Sequence, residues 1–130
     1  ESPFKIYGAD QTRSFCDISD GALGTIQAME CEKAKNDIFH IGNDEEITIE
    51  DLVKETGKYF DYSGSYEIAP TYPGSVSRRC PDLTKARKMF DFNPIISWKE
   101  ALYNSLDWYS KFYRENNKRF FTGPHKHYNK

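Results

Sequence analysis

The sequence predicts a mixed α/β (α+β) fold of short strands and about four helices. Three observations predict it. Stretches with helical spacing open on capping signals, notably Thr48–Asp51 and Ser97–Glu100. Short apolar or alternating runs bounded by Gly and Pro read as strands. The two kinds of segment also interleave along the chain.

In order, Phe4 to Gly8 reads as a strand and Gly8-Ala9-Asp10 as a turn. Thr12 to Ile18 alternates like a second strand, pairing with the first. Asp17, Ser19 or Asp20 can cap a helix from Gly21 to Lys33, whose Leu23, Ile26 and Met29, joined by Ala22, form an apolar stripe expected to face the core. Cys31 to Asp37 is polar and loop-like. Ile38-Phe39-His40-Ile41-Gly42 is expected to be a buried strand, with His40 a satisfied core residue rather than a ligand. Asp44-Glu45-Glu46 leads into a helix from Thr48, where negative charge near the N-terminus is favourable. Ile49, Leu52, Val53 and Thr56 follow at helical spacing, and Gly57 weakens the last turn. Tyr66 to Ala69 is a strand ending at Pro70. Thr71 to Pro81 is a loop carrying Arg78-Arg79. Asp82 caps a short helix with Leu83, Ala86 and Met89-Phe90 inward. Asn93-Pro94 breaks the chain. Ser97 opens a final helix bearing Ala101, Leu102, Leu106, Trp108-Tyr109 and Phe112. Residues 1–117 form one domain, and the basic segment 118–130 is expected to fray. The sheet is thin for such a core, which points to a missing partner, either more of the same polypeptide or a second subunit.

Composition bounds the function. With 130 residues, a formal net charge of -2 and a pI of about 5.9, the chain has no bulk positive field for nucleic acid or anionic lipid. Cys16, Cys31 and Cys80 form neither a CxxC pattern nor a disulfide framework, so a reducing, cytoplasmic setting is expected. No apolar run approaches a membrane span, and no signal peptide is visible. The opening Glu1 in place of Met reads as a trimmed or excised segment.

Arg13, on a strand among small and aromatic residues, offers a rigid fork of donors to phosphate or carboxylate; a surface ion pair with Asp10, Asp17 or Asp20 is the competing reading. Arg78 and Arg79, between Pro73 and Pro81, suit a diphosphate, or form a solvated basic pair. His125 and His127 lack a carboxylate or Cys to complete a metal site. No Gly-rich phosphate loop follows a strand, no Tyr precedes a Lys by four positions, and no nucleophile elbow, HExxH or Walker motif appears. No catalytic, cofactor-binding or metal-binding residue is assigned.

Ile6-Tyr7-Gly8, then Gln11-Thr12-Arg13-Ser14-Phe15 and Asp20, resembles the "YG-x-x-QTRSF-x-x-x-x-D" segment of extended short-chain dehydrogenase/reductases, the NAD-dependent nucleotide-sugar epimerases, dehydratases and decarboxylases. The resemblance continues through Ile41-Gly42-Asn43, Glu46 to Leu52, Gly74, Arg78-Arg79, Pro81 to Ala86 and Asn93-Pro94, and ends with Trp98, Glu100-Ala101-Leu102 and Trp108-Tyr109. Three positions depart from it: Asp17 stands where an aromatic is usual, His40 where Asn is usual, and Tyr72 where some members carry Arg.

The resemblance implies the small C-terminal substrate-binding part of such an enzyme. The Rossmann half, with NAD and the Tyr/Lys pair, would be absent from this segment, which would hold no cofactor and have no turnover alone. Lys5 and Tyr7 would meet the base, Gln11 would be among the substrate-binding residues, and Arg13 would bind the diphosphate. Arg78 or Arg79 would close over it. The implied partners are a nucleotide-diphosphate sugar and the missing half, with a homo-oligomer open. The rival expectations are a stand-alone nucleotide-sugar-binding or protein-interaction module and, more weakly, a nucleic-acid binder using the tail.

Overall fold

The computed structural model describes residues 3–116. The expected tail, including His125 and His127, lies outside the described residues.

Among the described residues, five short strands and four helices follow in the order β1 (Phe4–Tyr7), β2 (Thr12–Ser14), α1 (Ile18–Glu30), a 3-10 turn (Glu32–Ala34), β3 (Glu46–Thr48), α2 (Ile49–Tyr59), β4 (Tyr66–Ala69), β5 (Arg78–Arg79), α3 (Thr84–Phe90) and α4 (Trp98–Asn116). The mixed α/β class and the four helices are those expected from the sequence.

The strands form two sheets. β1 pairs in parallel with β4, Ile6 opposite Ile68. In the other sheet β2 lies between β3, antiparallel, and β5, parallel. β1 and β2 therefore do not pair with each other, contrary to expectation. The Gly8 turn, closed by the Gln11 amide donating to the Gly8 carbonyl at 3.0 Å, carries the chain from one sheet to the next instead of folding a hairpin. Gln11 and Ala9 carbonyls accept from the first two amides of α2, Ile49 and Glu50. This fixes the turn to that helix's N-terminus, where amides lack intrahelical partners.

The core centres on Leu83, Ala86 and Phe92, with Phe39, Ile41 and Phe90 packed against it. Gly24 of α1 lets that helix approach: a Cβ there would stand 2.6 Å from the Phe92 ring. Ile6 is buried beneath β1, and Ile47 beneath β3.

Buried polar groups tie the helices together. Asp20 Oδ2 accepts from the Ile95 and Ile96 amides at 3.1 and 2.9 Å. Asn43 accepts from the Glu45 amide and donates to the Ile96 carbonyl. Glu55 on α2 accepts from Tyr103 Oη on α4 at 2.8 Å.

Two expectations fail on one side of the molecule. Residues 38–42 form no strand, and Ile38 and His40 are exposed, so His40 is not a core residue. Leu23, Ile26 and Met29 of α1 are exposed as well. The buried face of the helix is Asp20 and Gly24.

Candidate functional site

Gly8 adopts φ +64°, a region that Cβ-bearing residues rarely occupy. A Cβ there would lie 2.8 Å from Gln11 Cδ and 3.1 Å from Thr71 Oγ1. The close approach leaves room for Gln11 to fold inward. Gln11 is buried; its Nε2 donates to Thr71 Oγ1 at 2.8 Å and its Oε1 accepts from Ser75 Oγ at 2.9 Å. The same Oε1 accepts from Arg13 Nη2 at 3.0 Å. Gln11 thereby locks the 71–75 loop onto β2 and holds one edge of the Arg13 guanidinium.

Arg13 Nη1 completes this seat by donating to the Thr12 carbonyl at 2.6 Å and to the Ser77 carbonyl at 3.5 Å. All three acceptors are neutral. Among the described residues Arg13 has no carboxylate partner, so the expected alternatives at Asp10, Asp17 and Asp20 are not formed. A guanidinium carries more N–H donors than these bonds use, and part of the fork stays open.

Strand pairing separates the two arginines that the sequence left equivalent. Arg79 is the register partner of Arg13, and Arg78 that of Thr12. Partners in register point to the same face of a sheet and alternate residues to opposite faces, so Arg79 stands beside Arg13 and Arg78 is turned away. Arg78 is occupied by Glu46: its Nε donates at 2.9 and 3.1 Å and its Nη2 at 2.8 Å. That guanidinium, aided by the Thr12 hydroxyl, holds the Glu46 carboxyl below the usual carboxylate range. Arg79 is exposed and has no carboxylate partner among the described residues.

Tyr7 lies beyond the turn, at the end of β1. Its ring stacks on Tyr72 with centroids 5.0 Å apart and planes 21° apart, and both rings keep an exposed face. Lys5 shares the Tyr7 face of β1 and sits 3.9 Å from Glu67. The fold thus brings Gln11, Arg13 and Arg79 together, with the Tyr7–Tyr72 stack joined to them through the 71–75 loop. It does not add Arg78 to that cluster. Thr71 and Ser75, whose side chains seat Gln11, were not foreseen, because loop hydroxyls carry no periodic signal.

Asp17, where the family pattern has an aromatic, is buried as the N-cap of α1. Its Oδ1 accepts from the Ser19 amide at 2.8 Å and its Oδ2 from Asn104 Nδ2 of α4 at 3.3 Å. The Ser19 amide, with Asn104 assisting, holds its carboxyl below the usual range against the opposing effect of burial. Among the described residues no cluster of His, Cys, Asp and Glu could hold a metal, and no helix is long and apolar enough to cross a membrane.

No family model matches the chain. It is 32% identical over 111 residues to the UDP-N-acetyl-alpha-D-glucosaminuronate decarboxylase of Bacillus cytotoxicus, covering 80% of this chain and 34% of that protein. It is 33% identical over 101 residues to UDP-glucuronic acid decarboxylase 1 of Arabidopsis thaliana, covering 77% and 23%. Among solved structures, the UDP-glucuronic acid 4-epimerase of Bacillus cereus, in complex with UDP-glucuronic acid and NAD, superposes with a TM-score of 0.76 at 27% identity, over 86% of this chain and 36% of that one. The chain therefore spans about a third or less of the length of these relatives. Sequence and fold agree: the chain belongs to the NAD-dependent extended short-chain dehydrogenase/reductases, and it matches their C-terminal portion.

Proposed function

We propose that this chain grips the diphosphate of a nucleotide sugar between Arg13 and Arg79. One observation carries the reading: two guanidiniums are register neighbours on one sheet face, and neither has a carboxylate. Like charges side by side repel, and an anion between them turns that repulsion into paired, charge-assisted hydrogen bonds. Gln11 is a positioning residue, fully engaged in holding Arg13. The exposed face of the Tyr7–Tyr72 stack supplies a flat apolar wall for the base, and Lys5 lies at its border. Several relatives are named as UDP-sugar decarboxylases, which favours a uridine diphosphate sugar.

In the whole protein, NAD supplies reversible hydride transfer. The residues that hold it are assigned to the part of the relatives beyond this match. This portion contributes orientation and binding energy remote from the reacting sugar carbon. The chain alone turns over no nucleotide sugar. Conversion of UDP-glucuronate by the purified chain would overturn that division of labour.

Calorimetric titration with UDP and UDP-glucuronate tests the site. A hydrogen bond to a charged group contributes roughly 1.5–3 kcal/mol, so Arg13→Ala and Arg79→Ala should each weaken binding about 10- to 100-fold. Arg78→Ala should leave affinity within about twofold, because that guanidinium serves Glu46. Equal losses at Arg78 and Arg79, or no loss at Arg13, would remove the assignment.

A further inference from the structure

Every residue of the loop from 71 to 77 is exposed. No buried apolar side chain of its own anchors it, and such segments sit at the low-stability end of a fold. Its tip is nevertheless ordered from within. Tyr72-Pro73-Gly74-Ser75 is a type II turn, with Pro second, Gly third at φ +80°, and the Ser75 amide donating to the Tyr72 carbonyl at 3.1 Å. Pro and Gly each suit their place, so the tip behaves as one piece. Its two ends serve different groups. Tyr72 carries the ring that stacks on Tyr7. Ser75 Oγ donates to Gln11 Oε1 at 2.9 Å, and the neighbouring Thr71 Oγ1 accepts from Gln11 Nε2 at 2.8 Å. Gln11 is buried, and its Oε1 also accepts from Arg13 Nη2 at 3.0 Å. One amide side chain therefore joins the aromatic wall to the guanidinium.

We infer that Thr71 and Ser75 are positioning residues that couple the binding of the base to the binding of the diphosphate. The inference rests on the site proposed above and adds to it a dependence of each half on the other. A base on the Tyr72 ring holds the turn. The turn holds the Gln11 amide, and the amide holds one donor of Arg13, leaving the rest of the fork aimed at the anion. In the other direction, an anion that fixes Arg13 fixes Gln11, and with it the turn and the ring. The second half to bind then finds part of its ordering already done, which is positive coupling with no contact between the two ligands. By linkage the factor is the same in both directions. The consequence is selection of a ligand that carries a flat base and a diphosphate together. A free nucleoside or a free phosphate ester offers one half and gains none of the coupling.

The test separates the two halves of the ligand. The chain is titrated, with NMR shifts as the readout, with inorganic pyrophosphate and with 5′-deoxyuridine, which leaves the place of the 5′ oxygen to the phosphate. Each titration is repeated with the other ligand present. Saturating pyrophosphate should tighten 5′-deoxyuridine at least about fivefold, the lower end of typical coupling, and the reverse titration should give the same factor. In the unaltered chain, pyrophosphate alone should slow hydrogen exchange of the Ser75 amide. Thr71→Val with Ser75→Ala, both at exposed positions, should bring the factor below about twofold. Thr71→Ser with Ser75→Thr, which keeps both hydroxyls, should preserve it. Hydroxyls with a purely structural role would lower the thermal midpoint when removed and leave the factor where it was. The inference is overturned by a factor near one in the unaltered chain, a factor unmoved by Thr71→Val with Ser75→Ala, or a Ser75 amide indifferent to pyrophosphate. Arg13→Ala tells this failure from that of the site. If it weakens pyrophosphate binding while the unaltered chain shows a factor near one, the coupling alone fails. If it leaves pyrophosphate binding unchanged, the site falls and the coupling with it.

Discussion

At Gly8 a missing side chain does two things at once. The positive φ excludes most residues, and the space above it is filled by Gln11. Gly8→Ala should destabilise by more than about 1 kcal/mol, since Ala at a positive φ is strained, and should weaken UDP binding by unseating Gln11 from Arg13. Urea midpoints and calorimetric titration of the same variant check both halves; loss of stability with intact affinity would uncouple Gln11 from the site. At this scale the sequence was informative about residue type and less so about partners. Arg13 and Gly8 stand out in any reading of the strand–turn–strand stretch. The division between Arg78 and Arg79 was not legible. It depends on which of two adjacent residues faces Glu46, and Glu46 is distant in sequence.

Among the elements, α1 shows how one residue can serve two helices. Asp17 caps its first turn and reaches Asn104 of α4. Asp17→Ala should cost about 1 kcal/mol or more, the usual loss of an N-cap, and Asp17→Asn less. The carboxyl has a folded pKa below its ordinary value. Its stabilisation is therefore complete above the ordinary carboxylate range and is lost as pH falls through the lower, folded value. The difference in stability between the unaltered chain and Asp17→Asn should shrink on acidification in that window; a difference flat with pH would exclude ionisation as the cause. The helices were largely legible because capping residues and helical spacing are local. Thr48 accepts from the Asp51 amide at 3.0 Å and Ser97 from the Glu100 amide at 3.3 Å, as their spacing predicts. β3 and β5, of three and two residues, were not legible. Segments that short have no period, and only pairing with β2 makes them strands.

For the molecule as a whole, stability rests on a small core, so single truncations there are felt. Phe92 is 1% exposed, and it packs with Gly24 of α1, Leu83 at the N-cap of α3 and Ala86 of α3. Phe92→Ala should cost about 3–5 kcal/mol, a large share of the roughly 5–15 kcal/mol that holds a domain together. Gly24→Ala should also destabilise, because the added Cβ meets the same ring. Denaturant unfolding distinguishes the two: the midpoint should fall in both, and further in Phe92→Ala. A midpoint unmoved in either would place the core elsewhere. The fold class was readable from the order of elements, whereas the division into two sheets was not. The Gly8 turn looks like a hairpin turn locally, and only the docking of Ala9 and Gln11 onto α2 redirects it.

The parallel pairing of β1 with β4 also sets an order of events in time. Phe4 is made before its partner Tyr66, which follows only after β2, α1, β3 and α2 have been made. Until then β1 is a short apolar segment without a sheet, and closing so long a loop is entropically costly. The rate-limiting step of refolding should accordingly be the arrival of β4. Ile68→Ala at the exposed edge of that strand, or Ile6→Val in β1, should leave helix formation early and unaltered in far-ultraviolet stopped-flow traces, while slowing the later phase that reports the completed sheet.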